Sequence, residues 1–146
     1  MGHLLGLEHA VQEVHEWLNE IKAVCQWNND AEAYAILRSV LQLLRDHLPL
    51  HSSIKLASQF SPLIRGLFYE GWRPIEQPMR ERTEREFIDR LAEMLEQYKH
   101  TRIEPELAAV AVFKTLQTKI DPNEVKKILA QLPKGVRKIF SYSIDT

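Results

Sequence analysis

Cysteine is nearly absent: Cys25 is the only one in 146 residues. A single thiol excludes an internal disulfide and any metal site built from cysteine pairs. Glycine is scarce too, at five, which leaves no glycine-rich loop for a phosphate and no dinucleotide fingerprint. No Gly-x-Ser-x-Gly elbow, His-Glu-x-x-His or Glu-x-x-His pair occurs, so the serine-hydrolase, zinc-protease and di-iron patterns are missing. No apolar run approaches the roughly 18 residues of a membrane span. No basic segment precedes an apolar core at the N-terminus, so no signal peptide is expected and the cytoplasm is the expected location. Gly6 stands where myristoylation asks for Ser or Thr. Net charge is only −1, which gives the whole molecule no bulk attraction for nucleic acid or membrane.

What the chain does have is a near-repetition. Gln59 to Phe68 reads QFSPLIRGLF and Gln131 to Phe140 reads QLPKGVRKIF, an offset of 72 positions. The same offset puts Glu32 on Glu104, Val40 on Val112, Leu44 on Leu116 and Lys55 on Lys127. Upstream, Val14, Leu18, Ile21 and Cys25 match Phe87, Leu91, Met94 and Tyr98 at an offset of 73, so the connection has gained or lost one residue. Repetition of this kind governs architecture, and here it implies two copies of one helical unit.

Leu4, Leu7, Val11, Val14, Leu18, Ile21 and Cys25 recur at gaps of three and four, one apolar stripe along a long first helix. Such a stripe either zips to a second chain or faces the protein's own core; Trp17 and Val24 widen it and favour the core. Asn29 and Glu32 form a capping-box pattern for a second helix to about His47, which Pro49 stops. A short helix is expected over Ser53 to Gln59. Ser61-Pro62 then opens another, running to about Glu70, with Gly71 as its left-handed end. Thr83 and Glu86 repeat the capping box ahead of Phe87, Ile88, Leu91, Leu95 and Tyr98. Helices are expected again from Glu104 to Lys119, after Asp121-Pro122, and from Pro133 through Phe140. No stretch alternates with period two long enough to make a strand. The expected fold is therefore an all-α helical bundle of two pseudo-repeated units of about four helices each. Residues 1–74 form the first unit, 75–82 a linker within the proline-bearing run from Trp72 to Arg82, and 83–146 the second. The two units are expected to pack as one domain.

The run from Leu44 to Pro74, LRDHLPLHSSIKLASQFSPLIRGLFYEGWRP, resembles the bacterial "domain of unknown function" family numbered 2267. Its members share an LR-hLP string (h apolar), a helix, then QLP-hLR-hhh-GW-P, with that half repeated in shorter form. The stretch from Thr83 to the AQLPKGVRKIF run is similar to the family's second half, so the resemblance covers nearly the whole chain. This chain departs in having Ser61-Pro62 after Phe60, which displaces the proline by one position relative to Pro133. The resemblance implies a bacterial cytosolic helical domain with no established activity, and it carries over no catalytic residue.

Arg65 and Arg137 occupy equivalent places in the two copies, and a guanidinium can hold a carboxylate or phosphate through two parallel bonds. They are candidates for a shared anion site; the alternative is that each covers the core with its stem and bonds helix-end carbonyls. Gln59 and Gln131 have the same two readings. Trp72, beside Gly71, either packs back on the last helical turn or, with Tyr69 and Arg73, anchors a protein partner. His47 and His51 are four apart, but Pro49 between them breaks the helix, and His9 and His15 point differently, so no metal site is expected. Glu13, Glu16 and Glu20 form a solvated face. Nine basic residues against four acidic from Lys99 to Lys138, notably Lys126, Lys127, Lys134, Arg137 and Lys138, offer an alternative nucleic-acid surface. With no catalytic motif and no cofactor pattern, the leading expectation is a non-enzymatic interaction domain that binds a protein partner or itself.

Overall fold

A computed structural model describes residues 2–74, 78–98 and 102–144, with side chains from Gly6 to Ser141 within those segments. Residues 75–77 of the expected linker, Lys99 of the basic stretch, and the chain ends lie outside the described residues. Among the described residues the chain is all-helical, with no strand. The helices are α1 (Gly2–Cys25), α2 (Asp30–His47), α3 (Leu50–Ala57), α4 (Pro62–Tyr69), α5 (Glu84–Glu96), α6 (Pro105–Lys119), α7 (Pro122–Leu129) and α8 (Lys134–Ile144).

Local sequence explains most of the boundaries. Pro62, Pro105 and Pro122 each stand in the first turn of α4, α6 and α7, where the missing amide hydrogen costs no helical bond. Thr83 and Glu86 make the complete capping box that opens α5. At α2 the box is half-formed: Asn29 accepts the Glu32 amide at 2.9 Å. The buried Glu32 carboxylate turns away instead, to the backbone amides of Arg102 and Ile103. α3 starts at Leu50, earlier than the expected Ser53, because Pro49 supplies its N-cap position and its carbonyl accepts the Ser53 amide at 3.1 Å.

The helix pairs cross between the halves. α1 lies on α6 and α2 on α5, while α2 and α6 also touch one another. α4 covers α1 and α2, α8 covers α5 and α6, and α3 meets α7. One continuous apolar core results, running from Trp17 and Ile21 through Leu37, Leu41 and Leu44 to Phe87, Leu91, Val112 and Phe140. Aromatic rings cluster at two places in it. Trp17 and Phe68 each stand edge-on to Phe60, with ring centres 5.7 and 5.3 Å from it, and Phe140 meets Phe87 and Phe113 at 6.0 and 4.7 Å. Each such buried ring contributes about 1.5–3 kcal/mol of transfer free energy.

The remainder of the linker is fastened. The Met79 amide donates to Asp46 O at 2.8 Å. Glu81 lies between the buried His47 ring and the Arg90 guanidinium. At Gly135 in α8, an added Cβ would come 2.5 Å from Arg82 O and 2.9 Å from Thr83 Cα, so only glycine lets α8 press on the backbone that opens α5.

Candidate functional site

The end of α4 shows how the side chains singled out from the sequence are used. Its last four carbonyls need partners outside the helix. Gly66 O accepts the Glu70 amide at 3.0 Å and Tyr69 O the Trp72 amide at 3.0 Å. Leu67 O accepts Gln42 Nε2 at 3.0 Å, and Phe68 O accepts Arg45 Nη1 at 2.9 Å. Arg45 also reaches Glu70 O at 2.9 Å and grips Asp46 through both carboxylate oxygens at 2.7 and 3.1 Å. Every orphan acceptor is satisfied. Glu70 (φ −56, ψ 125) and Gly71 (φ 70) then make a type II turn, closed by the Tyr69–Trp72 bond, in which the left-handed third position requires glycine. The turn lays Trp72 parallel to Tyr69, 5.2 Å between centres and 13° between planes. Both rings are half-buried and Arg73 is exposed.

Arg65 and Arg137, equivalent in sequence, differ in use. Arg65 donates from Nε to Ala57 O at 3.1 Å and from Nη2 to Phe60 O at 2.8 Å, closing the C-terminal end of α3. Among the described residues the Arg137 guanidinium makes no hydrogen bond or ion pair. It lines a cavity of about 430 Å³ between α6, α7 and α8, and Arg65 is not among the residues of that cavity. The floor is apolar, formed by Phe113, Leu129 and Phe140. Gln117, Asn123 and Ser141 add neutral polar groups, and Lys126 is the second cation. Among the described residues no carboxylate lines it. Gln59 and Gln131 are both exposed, and each donates its backbone amide to close the preceding short helix.

The other candidates resolve individually. His47 is buried, with Nδ1 2.8 Å from Leu43 O, while His51 is exposed on α3, so the two do not converge. Among the described residues no group of three or more His, Cys, Asp or Glu could hold a metal ion. Cys25 is half-buried, and burial, helped by the nearby Glu32 carboxylate, pushes its thiol up to about 11. Lys126, Lys127, Lys134, Arg137 and Lys138 are all exposed, and Lys127 lies 3.9 Å from Glu124. Among the described residues no helix is long and apolar enough to cross a membrane.

Sequence reasoning passed over Arg45 and Gly135, and took Glu32 only as half of a local capping box. Arg45 lies in the quoted LRDHLP run, so its neighbours were visible, but nothing in its spacing announces carbonyls 23 and 25 residues away. The class this architecture defines is an all-helical fold around a continuous apolar core. The chain belongs to the family described as Uncharacterized conserved protein (DUF2267), which matches residues 14–139. No curated protein matches the chain.

Proposed function

We propose that this chain is a non-enzymatic helical interaction domain and that its contact surface is the outer end of α1, which pairs with a second copy of the chain. The observation that carries this reading is the break in use along one stripe. Trp17, Leu18 and Ile21 are buried, whereas Leu7 and Val11, earlier on the same stripe, are 58% and 44% exposed. Spacing by threes and fours is the geometry with which like helices interlock, and a two-fold pair matches the same patch to itself. The Tyr69–Trp72–Arg73 corner is the weaker contact surface, since its two rings are half-buried against each other.

Sedimentation velocity over a range of concentrations tests this. Wild type should dimerise, and the double substitution Leu7→Glu, Val11→Glu should leave a monomer with unchanged helicity. A wild-type chain that stays monomeric throughout, or a double variant that dimerises as tightly, overturns the reading.

The two halves are best understood as copies of one four-helix unit packed as a single domain: 1–74, the connection 75–82, and 83–146. Supporting this are the bounds of α3 and α7, each eight residues long and 72 positions apart, and the starts of α4 and α8 at the same offset. The contacts agree, because α1 on α6 mirrors α5 on α2, and α4 on α2 mirrors α8 on α6.

A further inference from the structure

We infer that the cavity between α6, α7 and α8 is a binding site for a small carboxylate with an apolar body, the carboxylate held by Arg137 and Lys126. This goes beyond the proposed self-association and does not depend on it, since the cavity and the outer end of α1 share no residue.

The asymmetry between the two arginines is the first support. Arg65 spends its guanidinium on Ala57 O and Phe60 O. Leu129 and Leu132 hold the corresponding places, yet Arg137 donates to neither carbonyl and turns into the cavity wall. Nothing among the described residues uses its charge. Lys126 likewise makes no ion pair there, although carboxylates stand close in sequence. Asp121 caps the Asn123 amide at 2.9 Å, and Glu124 lies 3.5 Å from Lys55 and 3.9 Å from Lys127. Two cations, one from α7 and one from α8, therefore line the cavity with no counter-ion among the described residues.

The floor supplies the second half of the specificity. Phe113, Leu129 and Phe140 are buried core residues whose outer faces form an apolar surface at the bottom of the cavity. A volume of about 430 Å³ falls in the range of small-ligand pockets, roughly 300–1,000 Å³. An apolar floor in a cavity lined by two cations suits an amphipathic anion: the body displaces water from the rings, and the head takes charge-assisted bonds. A fully hydrated small anion such as acetate gains nothing from the floor.

The difference between the halves also explains why only this corner would serve. The positions of Gln117, Lys126 and Ser141 are taken in the first half by Arg45, Ile54 and Tyr69. There Arg45 is committed to α4, and Tyr69 is covered by Trp72.

Calorimetric titration of the full chain with sodium decanoate, below its micelle concentration, tests the inference. One saturable site is expected, with affinity at least tenfold weaker for decanol, and no measurable heat of binding for acetate. Arg137→Gln with Lys126→Gln should weaken decanoate at least ~10-fold, in line with the loss of charge-assisted bonds. Both side chains are exposed and unpaired among the described residues, so thermal stability should not change. Arg65→Gln should destabilise the fold without altering decanoate affinity. Absence of a saturable site in wild type, equal affinity for decanol and decanoate, or unchanged binding in the double variant would each overturn the proposal. The decanol comparison uses wild-type protein and decides the matter even if the variant folds poorly.

Discussion

Replacing Arg45 by Met probes the arrangement that ends α4. Arg45 is only 5% exposed, and Met keeps much of its apolar stem while removing every donor. Two losses follow. Phe68 O, in a fully buried residue, is left without its charged partner, and a buried acceptor stripped of its donor costs about 1–3 kcal/mol. The bidentate grip on Asp46 disappears as well, leaving a part-buried carboxylate uncompensated. Glu70 O is at the surface and recovers its bond from water. The sum is about 3 kcal/mol, which for a chain of this size lowers the melting temperature by about 6–12 °C. Urea unfolding followed by circular dichroism measures the first, and a thermal scan the second. Amide exchange at Trp72, in the turn the clamp supports, should quicken in parallel. Arg38→Met is the control. Arg38 bonds Tyr98 and Glu70 from a side chain that is 30% exposed, and its loss should cost less than about 1 kcal/mol. An Arg45→Met variant as stable as Arg38→Met would refute the reasoning, because buried carbonyl satisfaction would then contribute nothing.

Gly135→Ala should destabilise by about 1–3 kcal/mol, as overpacking against backbone does, because the linker carbonyl it meets cannot rotate away; denaturant titration checks this. Thr83→Ala removes the N-cap of α5 and should cost about 1 kcal/mol in the same assay. Glu86 in that box is held below the usual carboxylate range, first by the Thr83 hydroxyl and then by the Thr83 and Arg82 amides. Its folded value is depressed, so its contribution is present at neutral pH and lost as pH falls through that lowered value; the Thr83 amide chemical shift should report the loss. Cys25, held protonated at neutral pH, should react with a disulfide reagent at pH 8 roughly a hundredfold more slowly than a free thiol, and equal rates would contradict its burial.

Helix number and type were legible because proline, capping residues and threefold-fourfold spacing act within one or two turns. The Thr83–Glu86 box and the first-turn prolines are of this kind. The glycine at position 71 was legible for the same reason, since a left-handed residue after a helix leaves few alternatives. Contacts that depend on the fold left no such mark. Glu32 looked like half of a local box, yet its carboxylate serves amides 70 and 71 residues along the chain. The candidate arginines illustrate the same limit. Equivalent sequence predicted equivalent use, but Arg65 closes a helix end and Arg137 faces a cavity whose walls come from three helices. No local pattern distinguishes an arginine whose donors are taken from one whose donors are free.

The crossing of helices between halves bears on how the chain comes off the ribosome. Helical proteins usually fold fast because most of their contacts are local. Here α1 rests on α6 and α2 on α5 and α6, so much of the central core must wait until large loops have closed. A nascent chain that has emerged only through Tyr69 has α1 and α2 but not yet the α5 and α6 on which they rest. For that interval it is four amphipathic helices with apolar faces uncovered, the kind of species that aggregates unless shielded. The same crossing that gives the finished molecule one core leaves its first half with apolar faces uncovered until the second half is made.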